Sequence, residues 1–150
     1  MAQIQLKIVT PERIVMTLDA YQVTLPVEEG EVTILPEHIP YIGSLKPGEI
    51  LVRKEANGEA ISLVTSGGFV EFHNNTLVLL ADTAERAEEI DLARAEEARK
   101  RAELLKQEKL HLSEEEYART AALIEKEMAR VKVARKHLSK RGISTSESAF

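Results

Sequence analysis

Near residue 84 this chain changes its rule of construction, and the change limits what it can fold into. Before that point apolar side chains alternate with polar ones, the period of two that puts every second residue on one face of a strand. After it they recur at helical spacing. Proline stops and glycine nearly does: of seven glycines and five prolines, only Gly142 lies beyond the change. A chain of 150 residues has room for one ordinary domain, or for a small domain with an appendage. The switch in period points to the second, a β module over 1–84 followed by a helical arm over 85–141.

In the first part, residues 3–9 alternate cleanly, with Ile4, Leu6 and Ile8 on one face and Gln3, Gln5 and Lys7 on the other. Tyr21, Val23 and Leu25 repeat the pattern, as do Val32 and Ile34. Further strands are expected at 50–53, 60–65, 68–73 and 76–81. Turn residues punctuate them at Glu29-Gly30, Lys46-Pro47-Gly48, Asn57-Gly58, Gly67-Gly68 and Asn74-Asn75. Asn57-Gly58 predicts a type I′ hairpin, whose two central residues need positive φ. Eight to ten short strands at this spacing predict an antiparallel sandwich or barrel rather than a parallel sheet.

The second part reads as two helices. The first is expected over 88–108, with a break at 109–112. Ser113-Glu114-Glu115-Glu116 then carries the capping-box pattern, in which Ser accepts from the backbone and Glu reaches back. The second helix runs to about residue 140, before Gly142, which suits a C-terminal cap; residues 142–150 read as a disordered tail. The expected apolar seams are Ala95, Ala98, Ala102 and Leu105 on one helix, and Tyr117, Ala121, Ile124, Met128 and Val131 on the other. Alanines bury little area, so the hairpin should close tightly yet hold weakly, with an opened arm only about a few kcal/mol away.

Composition removes several kinds of chemistry. Without Cys there is no disulfide framework, thiol nucleophile or thiolate metal site. No run approaches the roughly 18 apolar residues that span a bilayer, and the N-terminus reads as a strand rather than a signal peptide. His38, His73, His111 and His137 are scattered without ligand spacing, so no metal is expected. His38, following Pro36-Glu37 in a loop, reads as a surface residue. Ser66-Gly67-Gly68 is a turn with no helix behind it, and neither common phosphate-cradle motif occurs. No catalytic residue is assigned.

Charge is unevenly placed. Residues 1–84 hold 5 basic and 11 acidic side chains, a net of −6, whereas 118–141 hold 8 basic and 2 acidic, a net of +6. That basic stretch is the surface best suited to an acidic partner. Nucleic acid is not expected, because interleaved aromatics are missing and the whole chain is acidic. At the junction, Asp91 and Arg94 share a helix face with Ala95 a turn from Asp91, and Glu85 lies just ahead. Arg119, Lys126 and Arg130, spaced by seven and four, share one face of the second helix. In an antiparallel hairpin these groups could hold a nucleotide, with a carboxylate for an amino group, a small residue under a flat ring and cations for phosphates. Local helix pairing beside a solvated basic face accounts for the same pattern.

The chain resembles the epsilon subunit of bacterial and chloroplast F-type ATP synthases along nearly its full length. The residues that carry the resemblance are Thr10-Pro11-Glu12-Arg13, the run from Gly30 through Pro36 and His38 to Pro40, Leu45-Lys46-Pro47-Gly48, the run from Ser66 to Glu71, and Leu80 to Arg86 leading into Ile90-Asp91. It implies a ten-stranded antiparallel β-sandwich followed by a two-helix hairpin. It implies a non-catalytic subunit of a proton-translocating synthase, with the sandwich on the gamma subunit of the central stalk and on the membrane c-ring. The helices would switch between a folded, permissive state and an extended, inhibitory one that meets the catalytic beta subunit, and alpha. There Arg119, Lys126, Arg130, Lys132, Arg135 and Lys136 would face acidic loops.

The resemblance extends to an ATP motif, Ile90-Asp91-Leu92-Ala93-Arg94-Ala95, with the matching acid at Glu85 and the basic positions at Arg119, Lys126 and Arg130. ATP is then a regulatory ligand, not a substrate, with Mg²⁺ left open. Lys126 departs from the arginine of the family and lacks its planar fork. Glu37 stands where the family often has glycine. The implied location is the cytoplasmic side of a bacterial cell membrane, peripheral and through the complex. A free-standing nucleotide-sensing module is the competing expectation.

Overall fold

A computed structural model describes residues 2–108 and 112–142. The expected tail lies from residue 143 onward outside the described residues, as do residues 109–111 of the expected break and, with them, His111. The chain divides after Arg86 into two compact units.

The first unit is a ten-stranded sheet folded over its own core. Its strands are β1 (Ile4–Val9), β2 (Ile14–Ala20), β3 (Gln22–Val27), β4 (Gly30–Ile34), β5 (Tyr41–Leu45), β6 (Gly48–Arg53), β7 (Ala60–Thr65), β8 (Gly68–His73), β9 (Thr76–Ala81) and β10 (Ala84–Arg86). Their order is β10-β7-β6-β3-β5-β8-β9-β1-β2, with β4 added on β3. The sheet bends at β3, where residues Gln22 to Thr24 pair with β6, while Val27 at the far end pairs with Leu45 of β5. All pairs are antiparallel except β1 with β9, where Leu6 lies opposite Leu77.

The alternation seen in the sequence sets the core. Ile4, Leu6 and Ile8 of β1 meet Val23, Leu25, Ile50, Val52, Leu63, Phe72, Leu77 and Leu79, all buried. Each such side chain contributes about 1.5–3 kcal/mol when fully buried. The pattern did not single out β2, β5 or β10. In β2 the register shifts between Ile8 and Val9 of its partner, so apolar residues appear at both parities and hide the period. β10 is three residues long, too short for any period.

One turn differs from expectation. Asn57 and Gly58 lie in the loop between β6 and β7 without positive φ, so no type I′ turn forms there. The left-handed pair is Asn74 (φ 50°) and Asn75 (φ 54°), which close the β8–β9 hairpin next to the His73–Thr76 pair. Glu37 is also left-handed, at φ 68°, and its N–H donates to Asn75 Oδ1 at 2.6 Å. A side chain in that region costs about 1–2 kcal/mol, partly offset by glycine's greater freedom when unfolded. Glu37→Gly should therefore raise stability by up to about 1 kcal/mol in denaturant unfolding. A loss of stability there would show that the Asn75 bond holds Glu37 without strain.

The second unit begins with a 3-10 turn at Ala87–Glu89, followed by α1 (Leu92–Glu108) and α2 (Glu114–Lys140). The first helix starts four residues later than the periodicity indicates, because Asp91 caps it: Arg94 N–H donates to Asp91 Oδ1 at 3.1 Å. The capping box at Ser113 forms as read. Glu116 N–H donates to Ser113 Oγ at 3.2 Å, and Ser113 N–H donates to Glu116 Oε2 at 3.1 Å. Gly142 takes φ 69°, the left-handed value of a C-terminal cap.

The seams are only partly those expected. Ala95 and Ala102 are fully buried, but the buried residues of α2 are Glu127, Val131, Val133 and Ala134, while Tyr117 and Met128 stand half exposed. The expected stripe follows apolarity alone. The observed one keeps Val131, adds Val133 and Ala134, and takes in Glu127 through its pair with Arg130. Tyr117 is held outside it by Lys106, whose Nζ sits 4.9 Å from the ring centre. Near the other end, Arg135 Nη2 donates to Glu96 Oε1 at 2.5 Å, joining the helices.

Candidate functional site

Asp91, Arg94 and Ala95 come together on the first turn of α1. Ala95 is fully buried, and its N–H donates to the Asp91 carbonyl at 3.0 Å. Arg94 Nε lies 3.7 Å from Asp91 Oδ2, with the two side chains 84% and 58% exposed. An exposed pair of this kind contributes about 0–1 kcal/mol, so Asp91 and Arg94 remain cheap to recruit for a ligand. Ile90 is half-buried and its N–H donates to Ala87 O at 3.3 Å. Glu85 belongs to the sheet unit, in β10 opposite Val64 of β7.

The basic stripe on α2 is not uniform. Arg119 is exposed and ion-paired with Glu115 a turn earlier on its own helix. Lys126 is half-buried. Arg130, with its side chain 21% exposed, donates from Nη1 to Glu127 Oε2 at 2.9 Å. Lys126 and Arg130 thus sit one turn apart, whereas Arg119 is displaced from Arg130 by about 16 Å of helix rise. The Lys106–Tyr117 contact places that start of α2 beside the end of α1, about 22 Å along α1 from Asp91. The structure therefore brings Asp91, Arg94 and Ala95 into one group and Lys126 and Arg130 into another, and sets Arg119 apart from the first. Lys132, Arg135 and Lys136 are exposed along the last third of α2, with Arg135 engaged by Glu96.

His38 is more than a surface residue. Its ring stands edge-on to buried Phe72 at 5.9 Å and to Tyr41 at 6.4 Å, and Nδ1 lies 2.7 Å from the Ile39 carbonyl. It packs the loop after β4 onto the sheet. Among the described residues no group of three or more His, Asp or Glu side chains is placed to hold a metal.

Two features escaped the sequence reading. The pairing registers align Ser44, Phe69, Leu80, Val9 and Ile14 in one row across β5, β8, β9, β1 and β2, on the face away from the core. Phe69, Leu80 and Ile14 are 63%, 55% and 58% exposed, and Ile42 beside them is 80% exposed. The usable signal was in β9, where Val78 and Leu80 break the alternation set by Leu77 and Leu79. Such a contiguous apolar surface marks an interaction face. The second is Glu127, which sequence reading counts merely as one of two acids in a basic stretch.

A sandwich with an exposed apolar row, joined to a charged helical hairpin, has the surfaces of a binding or coupling subunit. Residues 3–87 match the family model for the ATP synthase delta/epsilon chain β-sandwich domain. The ATP synthase epsilon chain of Dehalococcoides mccartyi is 46% identical over 136 residues, spanning 91% of this chain and 95% of that one. The epsilon chain of Chloroflexus aggregans is 44% identical over 138 residues, 92% and 96% of the two chains. A similar fold occurs in the Euglena gracilis mitochondrial ATP synthase assembly of OSCP, F1 and c-ring, with a TM-score of 0.73 at 23% identity over 86% of this chain and 79% of that one. The chain belongs to the ATP synthase epsilon-chain family, whose members are non-catalytic stalk subunits of that complex. Among the described residues no helix is long and apolar enough to cross a membrane.

Proposed function

We propose that this chain couples the rotor of a proton-translocating F-type ATP synthase to its membrane ring, and that its helical arm restrains ATP hydrolysis when extended. The observation that carries the coupling role is the exposed row of Phe69, Leu80 and Ile14, with Ile42, on an otherwise acidic sheet unit. A contiguous apolar patch of that kind suits a protein partner, and the central stalk's gamma subunit is the partner we assign to it. The c-ring is the second partner of the sandwich, so that membrane contact comes only through the complex, on the cytoplasmic side of a bacterial membrane. In the extended state, α2 meets the catalytic beta subunit, and alpha, through its basic side chains.

ATP acts as a ligand of the folded hairpin. Asp91 accepts from the adenine amino group, Ala95 leaves room beneath the ring, and Arg94, Lys126 and Arg130 take the phosphates; Ile90 completes the assignment, whereas Arg119, about 16 Å of helix rise from Arg130, is left out of it. A ligand that binds only the folded hairpin stabilises it by mass action, and so withdraws the arm when ATP is abundant.

Two measurements test these roles separately. Copurification with a tagged chain should recover stalk subunits, and Phe69→Asp with Leu80→Asp should abolish that recovery while leaving the helix and strand content unchanged. Recovery of the tagged wild type alone would instead leave a free-standing nucleotide-sensing module. For the nucleotide, titration of ATP should saturate with wild type and weaken about tenfold or more in Arg94→Ala. Because Asp91 also caps α1, Asp91→Ser is the informative variant. Serine keeps the cap but not the carboxylate, so equal ATP binding by Asp91→Ser would remove Asp91 from the site.

A further inference from the structure

Among the described residues Glu127 is the one buried charged side chain, at 4% exposure, and it lies in the seam within the basic stretch of α2. Burying a carboxylate is costly unless a partner compensates, and Arg130 supplies one through the 2.9 Å contact between Nη1 and Oε2. A shorter or uncharged residue would fill the same seam position more cheaply, next to Val131 and Ala134. The placement therefore has an energetic cost that packing alone does not require.

We propose that Glu127 is a built-in competitor for the phosphate groups of the nucleotide, and that it sets how tightly the folded hairpin holds ATP. This rests on the ATP reading given above. A carboxylate and a phosphate present the same chemistry to a guanidinium, two or more anionic oxygens in a plane that its forked N–H groups can meet. Arg130, with a neighbouring Lys126 a turn earlier, is the cation assigned to phosphate. With Glu127 on Nη1, an incoming phosphate either displaces that carboxylate or binds beside it against like-charge repulsion. Both routes weaken nucleotide binding. The threshold of ATP at which the arm is held folded then depends on an acid that belongs to the chain itself, not only on the cations that touch the ligand.

The sign of the effect distinguishes this from a supporting role. If Glu127 merely braces the hairpin, replacing it loosens the fold and weakens ATP binding. If it competes, replacing it strengthens binding. Glu127→Gln keeps the shape of the side chain and removes the charge. Isothermal titration of ATP into the full chain should give a dissociation constant about tenfold lower for Glu127→Gln than for wild type, the range expected from releasing one charge-assisted hydrogen bond. The same substitution in an Arg130→Ala background should give little or no gain, since the competition acts through that arginine. Saturable binding by wild type with equal or weaker binding by Glu127→Gln overturns the proposal and leaves the nucleotide site standing. A gain that persists undiminished without Arg130 also overturns it. Failure of both wild type and Glu127→Gln to bind ATP removes the nucleotide site, and this proposal with it. Thermal unfolding of each variant, followed by circular dichroism, confirms that affinities are compared between folded chains.

Discussion

Gly68→Ala is expected to abolish cooperative folding of the sheet unit, or to lower its stability by more than about 3 kcal/mol. Gly68 holds φ 137°, a region closed to residues with a side chain, and an added Cβ would lie 2.1 Å from the Leu80 carbonyl oxygen and 2.9 Å from Ala81 Cα. Both obstacles are backbone. They belong to β9, which is paired to β8 on one side and β1 on the other, so neither can yield without breaking a ladder. Gly30→Ala serves as the comparison. Gly30 has φ 133° but no atom within 4 Å of the added carbon, so strain acts alone and the loss should be about 1–3 kcal/mol. Thermal unfolding by circular dichroism reads both. A melting temperature for Gly68→Ala equal to that of Gly30→Ala would refute the role assigned to the close approach.

Neutralising Arg119, Lys126, Arg130, Lys132, Arg135 and Lys136 together should raise ATP hydrolysis by the assembled enzyme on the order of tenfold, because each charge removed from an interface rim weakens it by a fraction of a kcal/mol. The structure adds a contrast of sign within this set. Arg135 also joins the helices through Glu96. Arg135→Gln alone should loosen the folded hairpin, favour the extended arm and lower hydrolysis, whereas Lys132→Gln, whose side chain is exposed, should raise it. Steady-state hydrolysis at fixed ATP distinguishes the two. Unchanged activity both in the sixfold variant and in Lys132→Gln, which touches neither the ATP assignment nor the Glu96 pair, would remove the electrostatic mechanism of restraint.

Much of this architecture was readable from residues alone. The alternation of Ile4, Leu6 and Ile8 predicts a one-sided strand, and these are among the most deeply buried side chains. The Ser113–Glu116 capping box marked the start of α2 to within a residue, because the signal is local and the hydrogen bonds are made within four residues. Signals that depend on tertiary partners fared less well. The seam of α2 runs through Val131, Val133 and Ala134 and admits Glu127 through its pair with Arg130, which apolarity does not reveal, so Met128 was expected inside and Glu127 was not singled out. The type I′ turn went to Asn74-Asn75 because a two-residue connection between His73 and Thr76 demands it, whereas the longer loop around Asn57 does not. For the candidate site, spacing joined Asp91 to Arg94 correctly. It also placed Arg119 on a common face with Arg130 without measuring the helix rise between them.

The parallel pairing of β1 with β9 has a consequence for synthesis on the ribosome. Residues 4–9 emerge before every other strand of the sheet, yet one of their two neighbours, residues 76–81, appears some seventy residues later. Until then β1 can pair only with β2, and its other edge waits open, a contact of high sequence separation that slows closure. The last β residues, 84–86, complete the sheet immediately afterwards. The sandwich can therefore close only as the chain reaches the change of period, so the charged arm emerges from the ribosome onto a body that has all of its strands.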